Sequence, residues 1–117
     1  MQQDLNKKLD KNNPKGTGSL SLNRKAETSI GSYSVAEGHE TTASGYASHA
    51  EGNRTTASGN YGSHAEGTDT VANGSYSHAE GLGSQANNAV SHAEGEYTIA
   101  KLRAQHVQGK YNVASND

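Results

Sequence analysis

Ser48-His49-Ala50-Glu51-Gly52 returns as Ser63-His64-Ala65-Glu66-Gly67, as Ser77-His78-Ala79-Glu80-Gly81 and as Ser91-His92-Ala93-Glu94-Gly95. A diverged copy, Ser34-Val35-Ala36-Glu37-Gly38, precedes them, and another, Gln105-His106-Val107-Gln108-Gly109, follows. The closing glycines are 14 residues apart, except for one step of 15 between Gly52 and Gly67. The extra residue fits the turn Gly59-Asn60-Tyr61-Gly62, where an insertion is harmless. Self-similarity at a fixed period marks a repeat architecture.

Half a period later a second motif recurs. Thr42-Ala43-Ser44-Gly45 is followed by Thr56-Ala57-Ser58-Gly59 and Val71-Ala72-Asn73-Gly74, then less faithfully by Gln85-Ala86-Asn87 and Ile99-Ala100-Lys101. Each unit therefore reads as two short strands, each closed by a turn rich in Gly, Asn and Ser. Two such strands make one flat coil, and coils stack at the normal strand spacing of about 4.8 Å. The result is an all-β parallel β-roll, a solenoid of 14-residue coils. A helix is excluded by the glycine density and by the absence of any 3.6-residue period.

Alternation assigns the faces. A two-stranded coil is too thin for large side chains. Ser48, Ala50 and Gly52 are accordingly expected inside, with His49 and Glu51 outside. The coil interior is expected to hold Ala36, Ala43, Ala50, Ala57, Ala65, Ala72, Ala79, Ala86, Ala93 and Ala100. Arg54 and Thr55 read as turn residues. Leu20 and Leu22 align one period before Ser34 and Ala36, so they and Val107 are expected to cap the two ends.

Composition agrees with so small a core. The hydrophobic fraction is 30%, with no Trp, Phe or Cys, against roughly 45–50% apolar residues in ordinary domains by a count that includes Gly. The alternative of disorder is outweighed by the repeat. Without cysteine there are no disulfides or thiolate metal sites. A net charge of −2 with no basic stripe gives nucleic-acid binding no support. No stretch is long enough for a membrane helix, and Met1 to Lys15 lacks the apolar centre of a signal peptide. Domain organisation reads as a leader over 1–15, a roll of about six coils over 16–114 and a tail over 115–117. The leader, with Leu5 and Leu9 at helical spacing, reads either as the end of a coiled coil or as disordered.

The paired Ser-x-Ala-x-Gly and Thr-x-Ala-x-Gly half-repeats resemble the YadA-like head repeats of trimeric autotransporter adhesins. The Ser-His-Ala-Glu-Gly form is similar to repeats in phage and prophage tail proteins of Gram-positive bacteria, which often precede a self-cleaving chaperone domain of the peptidase G2 type. The stretches Gly18 to Lys25 and Gln105 to Val113 look like the edges of that arrangement. The resemblance spans 16–114. It implies a left-handed roll that trimerises side by side through the outward positions of the first strand. Here those positions are Val35, Glu37, His49, Glu51, His64, Glu66, His78, Glu80, His92, Glu94, His106 and Gln108. Only Val35 keeps the apolar character seen in the adhesins.

The His-x-Glu ladder admits three readings: a polar interface in which His pairs with the Glu of the same strand, across subunits and along the stack; a solvated face; and, as the least favoured, metal ligation by symmetry-related histidines. No metal or cofactor is expected. Repeated residues are positional rather than catalytic, and no Ser–His pair is unique to one coil, so no enzyme is expected. Tyr33, Tyr46, Tyr61, Tyr76 and Tyr97 read as turn residues covering the roll's edges. The expected function is a structural and adhesive segment of a homotrimeric phage or prophage tail fibre or spike, with a host cell-surface glycan or protein as partner. The alternatives are the head of a cell-surface trimeric adhesin and a fragment of a self-cleaving tail protein. The corresponding locations are the virion tail or the cell surface.

Overall fold

The computed structural model describes residues Leu9–Asp10 and 18–113, and every regular element among them is a strand. The body is elongated, 51 × 21 × 17 Å. It is a parallel β-solenoid of about six turns. One face of each coil carries β2 (Ser19–Arg24), the first part of β3 (Val35–Ala43), β4 (His49–Asn53), β6 (His64–Ala65), β8 (His78–Leu82), β10 (His92–Glu96) and β12 (His106–Val107). The other carries the end of β3, then β5 (Thr56–Ala57), β7 (Val71–Ala72), β9 (Gln85–Ala86) and β11 (Ile99–Ala100). Stacking is in register. His49 lies over His64 and Ala50 over Ala65, and His78, Ala79, Glu80 and Gly81 lie under His92, Ala93, Glu94 and Gly95.

The interior is made of small residues. All ten alanines at seven- or eight-residue intervals from Ala36 to Ala100 are fully buried, and Val107 continues the column. Beside them lie Ser34, Ser48, Ser63, Ser77 and Ser91 on one strand and Thr41, Thr55, Thr70, Ser84 and Thr98 on the other, all buried. A buried hydroxyl needs a partner, and backbone carbonyls near the corners supply it for most of these, whereas Thr41 Oγ1 and Ser77 Oγ have none among the described residues. Ser48 Oγ donates to Gly45 O at 2.7 Å and Ser63 Oγ to Gly59 O at 2.6 Å. Thr55 and Thr70 donate to Glu51 O and Glu66 O at 3.0 Å each. Short hydroxyl residues thus fill the corners and tie each turn to its own coil.

Thr55 is therefore not a turn residue that tolerates change. It faces inward because it stands two places before Ala57 and shares its side of the strand. The turn is made by Arg54, which adopts φ 56° and donates its amide to His39 O of the coil before at 2.8 Å. Asp69, Gly83, Tyr97 and Tyr111 repeat this bond, with distances of 2.7–3.0 Å. The left-handed conformation costs a non-glycine residue roughly 1–2 kcal/mol, offset here by keeping the corner amide in the ladder.

Gly52 is exposed rather than interior. A glycine is required there for another reason. Its φ is +107°, and a Cβ would stand 2.2 Å from Gly67 O of the next coil. Gly62, with φ +86° and open space around it, is the inserted residue. The corner amides on either side show this: Tyr61 N donates to Tyr46 O, 15 positions back, and Tyr76 N to Asn60 O, 16 back.

The N-terminal end departs from the alignment in the sequence. Leu20 pairs with Val35, Ser21 with Ala36 and Leu22 with Glu37, after which a bulge pairs Arg24 with Thr41. The step is one residue longer than a period, and a one-residue slip moves a strand's side chains to the other face. Leu20 and Leu22 thus join the outward column instead of plugging the interior. Arg24 occupies that end: its guanidinium donates to Ser21 Oγ (2.9 Å), Ala43 O (2.9 Å) and Ser34 Oγ (3.3 Å). The expected leader lies outside the described residues except for β1 (Leu9–Asp10), which pairs antiparallel with Leu20 and Ser19. Leu9 is therefore in a strand and not in a coiled coil. The tail over 115–117 also lies outside.

Ala65→Leu should lower the thermal midpoint by the equivalent of about 1–3 kcal/mol or more, because the coil has no room to relax. Arg54→Gly should leave the midpoint close to that of the parent, since relief of the positive φ compensates for the loss of a solvent-exposed, screened ion pair with Asp69. Equal midpoints for the two variants in a thermal melt would contradict the assigned facing.

Candidate functional site: the histidine–glutamate face

Period-2 alternation turns the second and fourth residues of every Ser-His-Ala-Glu-Gly unit to the same outer face, and in-register stacking lines them up. His49, His64, His78, His92 and His106 form one column with ring centroids 4.5–4.8 Å apart and interplanar angles of 1–9°. The adjoining column runs Glu37, Glu51, Glu66, Glu80 and Glu94 and ends at Gln108. At the N-terminal end the face turns apolar, with half-buried Leu20, Leu22 and Val35. The structure thus aligns all twelve expected interface residues along one side, and the two leucines extend the column.

Pairing runs between coils. His49 Nε2 meets Glu37 Oε1 of the preceding coil at 2.9 Å, while Glu51 of its own strand is 3.8 Å away. The same preference holds for His64 (3.0 against 3.9 Å), His78 (3.0 against 3.8 Å) and His92 (3.2 against 3.9 Å). His106 closes the series on Glu94 at 3.1 Å. The expected same-strand partner is therefore the more distant one. Hydrogen bonding stitches successive coils together, and the carboxylates of Glu51, Glu66, Glu80 and Glu94 each stand beside two imidazoles.

The face is half-buried in the single chain. His64 and Glu66 side chains retain 31% and 33% of their exposure. A long, shallow, open groove runs beside the column from Glu51 to Gln108, floored by glycines from Gly52 to Gly109. The His64 hydrogen bond holds the Glu51 carboxyl below the ordinary glutamate range; a contact with Glu66 and the charges of His49 and His64 add to this, and partial burial opposes it.

Two other surface rows accompany the face. Tyr33, Tyr46, Tyr61 and Tyr76 line one corner with centroids 5.4–5.8 Å apart, edge-on at Tyr33–Tyr46, tilted at Tyr46–Tyr61 and stacked at Tyr61–Tyr76. Tyr97 and Tyr111 stack at 5.7 Å on the other corner. All are exposed, and Tyr111 extends the tyrosine set named from the sequence. Arg54 and Asp69 form a bidentate pair at 2.7 and 2.9 Å. This pair lowers the Asp69 carboxyl and raises the Arg54 guanidinium. The pair was not expected from the sequence; its signal is that both residues occupy the same corner position in adjacent coils.

Because the Glu51 carboxyl is depressed in the folded chain, the stability it contributes is present above the unperturbed glutamate value of about 4.3 and is lost as pH falls through its own lower value. Thermal midpoints measured from neutral to strongly acidic pH should fall through that window. They should fall less steeply for Glu51→Gln. An unchanged acid limb in the variant would remove Glu51 from this role.

Comparison with known proteins fits this geometry. Residues 36–61 and 65–90 match the family model of the YadA head domain repeat, in two copies. No curated protein and no solved structure matches the chain significantly. YadA-like head repeats are structural domains of adhesins, extracellular or exposed at a surface. With the matched segments lying on coils that alternate Ser-x-Ala-x-Gly and Thr-x-Ala-x-Gly strands around an alanine interior, the chain carries YadA-like head repeats.

Proposed function

We propose that the chain is a non-enzymatic structural and adhesive segment of a homotrimeric phage or prophage tail fibre or spike, presented on the virion tail and contacting the host surface. The observation that carries this reading is the single uninterrupted outward face. Leu20, Leu22 and Val35 give it an apolar start, and the His–Glu columns continue it coil after coil. A face that repeats His and Glu in register over consecutive coils suits packing against copies of the same chain, in which each coil meets its equivalent. Three rolls packed in this way leave the tyrosine corners for contact with glycan or protein, for which exposed tyrosine is well suited.

The Ser-His-Ala-Glu-Gly repeats favour a tail protein, including a self-cleaving one of which this chain is a part. The YadA head match favours the second reading, the head of a bacterial cell-surface trimeric adhesin. The two differ in where the protein is found. Gold-labelled antibodies against the purified roll should decorate the tail fibres of particles released from the bacterium that carries the gene. Decoration of the bacterial envelope instead would establish the second reading. Labelling of neither, together with no binding of the fluorescent chain to cells, would overturn both.

A further inference from the structure

The carboxylates on the outer face do more than accept one hydrogen bond each. Glu51 directs Oε1 at His64 Nε2 and Oε2 at His49 Nε2, 3.0 and 3.8 Å away. The arrangement recurs in four consecutive trios: His49–Glu51–His64, His64–Glu66–His78, His78–Glu80–His92 and His92–Glu94–His106. In each, one atom from every side chain lies within 4.8 Å of the other two. We propose that this ladder binds divalent transition-metal ions of the zinc type, each ion held by two consecutive histidines and the glutamate between them.

The donor chemistry suits such an ion. Imidazole nitrogen with one carboxylate oxygen is a common zinc set, and a fourth position remains for water. Magnesium and calcium prefer all-oxygen sites. Zinc–ligand bonds of about 2.0–2.2 Å at tetrahedral angles put donor atoms roughly 3.4 Å apart, between the two His–Glu distances already present. The imidazoles, stacked at 4.5–4.8 Å, must tip their Nε2 atoms together. The rings stand on the outer face, separate from the buried alanine column, so they can tip without disturbing the interior. The ion takes the place of the proton shared between Nε2 and the carboxylate. It also relieves a column of five glutamates spaced by a single strand separation of about 4.8 Å, whose like charges repel when the imidazoles are neutral.

Every ligand of a site comes from one chain, so the inference does not rest on trimer formation. Connectivity sets the stoichiometry. Neighbouring trios share a histidine, and each Nε2 holds one ion, so five histidines in four overlapping trios fill at most two sites per chain. His64→Gln leaves only 78, 92 and 106 and allows one ion. His78→Gln leaves the pairs 49/64 and 92/106 and still allows two. The double variant His64→Gln/His92→Gln has no consecutive pair and allows none.

The test is calorimetric titration of ZnCl2 into the full chain, free of any histidine tag, at neutral pH. The expected result is two ions per chain with micromolar or tighter affinity, with MgCl2 giving no binding. Cobalt(II) should show the strong visible absorption of a tetrahedral site. Counts of one, two and none are expected for His64→Gln, His78→Gln and the double variant, each checked for β-structure by circular dichroism. If the double variant does not fold, the contrast between the two single variants decides. Absence of saturable zinc binding, equal counts in His64→Gln and His78→Gln, or one ion per three chains, as a threefold-axis site would give, overturns the proposal.

Discussion

Everything in this molecule follows from stacking coils at one strand separation, about 4.8 Å, with like residues directly over like. Parallel in-register pairing fixes that spacing along both sheets. A coil this thin accepts only Ala, Ser and Thr inside, and it has them: apart from Val107 at one end, no buried side chain among the described residues is larger than threonine. The same spacing brings the backbone of one glycine against the carbonyl of the next, so the column from Gly38 to Gly95 cannot carry a Cβ. Outside, it stacks the imidazoles and aligns the carboxylates.

This organisation distributes stability unusually. The interior buries little apolar area per residue, whereas ordering each residue costs roughly 1–2 kcal/mol of backbone entropy. The compensation must come from the continuous backbone ladder, the hydrogen-bonded corner hydroxyls such as Ser48, Thr55, Ser63 and Thr70, and whatever covers the half-exposed outer face. Inter-coil His–Glu bonds supply some of it within the chain. The unfilled remainder is a long flank that begins with two leucines and a valine.

The period, the parallel solenoid and the alanine interior were legible because a side chain's face alternates along a strand and alanine recurs every seven or eight residues. Four features were not. The N-terminal register was misread because Ser21 and Asn23 stand where the repeat has Ala and Gly, and the step to the next coil is one residue longer than the period, with a bulge after Leu22. Gly52 gave no facing signal, since a glycine has no side chain and its requirement lies in φ and a close carbonyl. The partner of each histidine could not be read either. Same-strand and preceding-coil glutamates are equivalent in sequence, and only the slant of the side chains across the stack brings the latter nearer. The corner residues Arg54 and Thr55 looked alike as polar neighbours, yet one adopts a positive φ in solvent while the other is fully buried.

We propose that a solenoid with this interior completes its burial by packing its His–Glu flank against copies of itself. Light scattering of the purified chain at micromolar concentration tests it most directly. The account predicts a folded species of three times the 12.2 kDa chain mass, with β-structure lost together with the assembly on dilution or heating. A monomer of 12.2 kDa that keeps its β-structure and unfolds cooperatively at a concentration-independent temperature would contradict it.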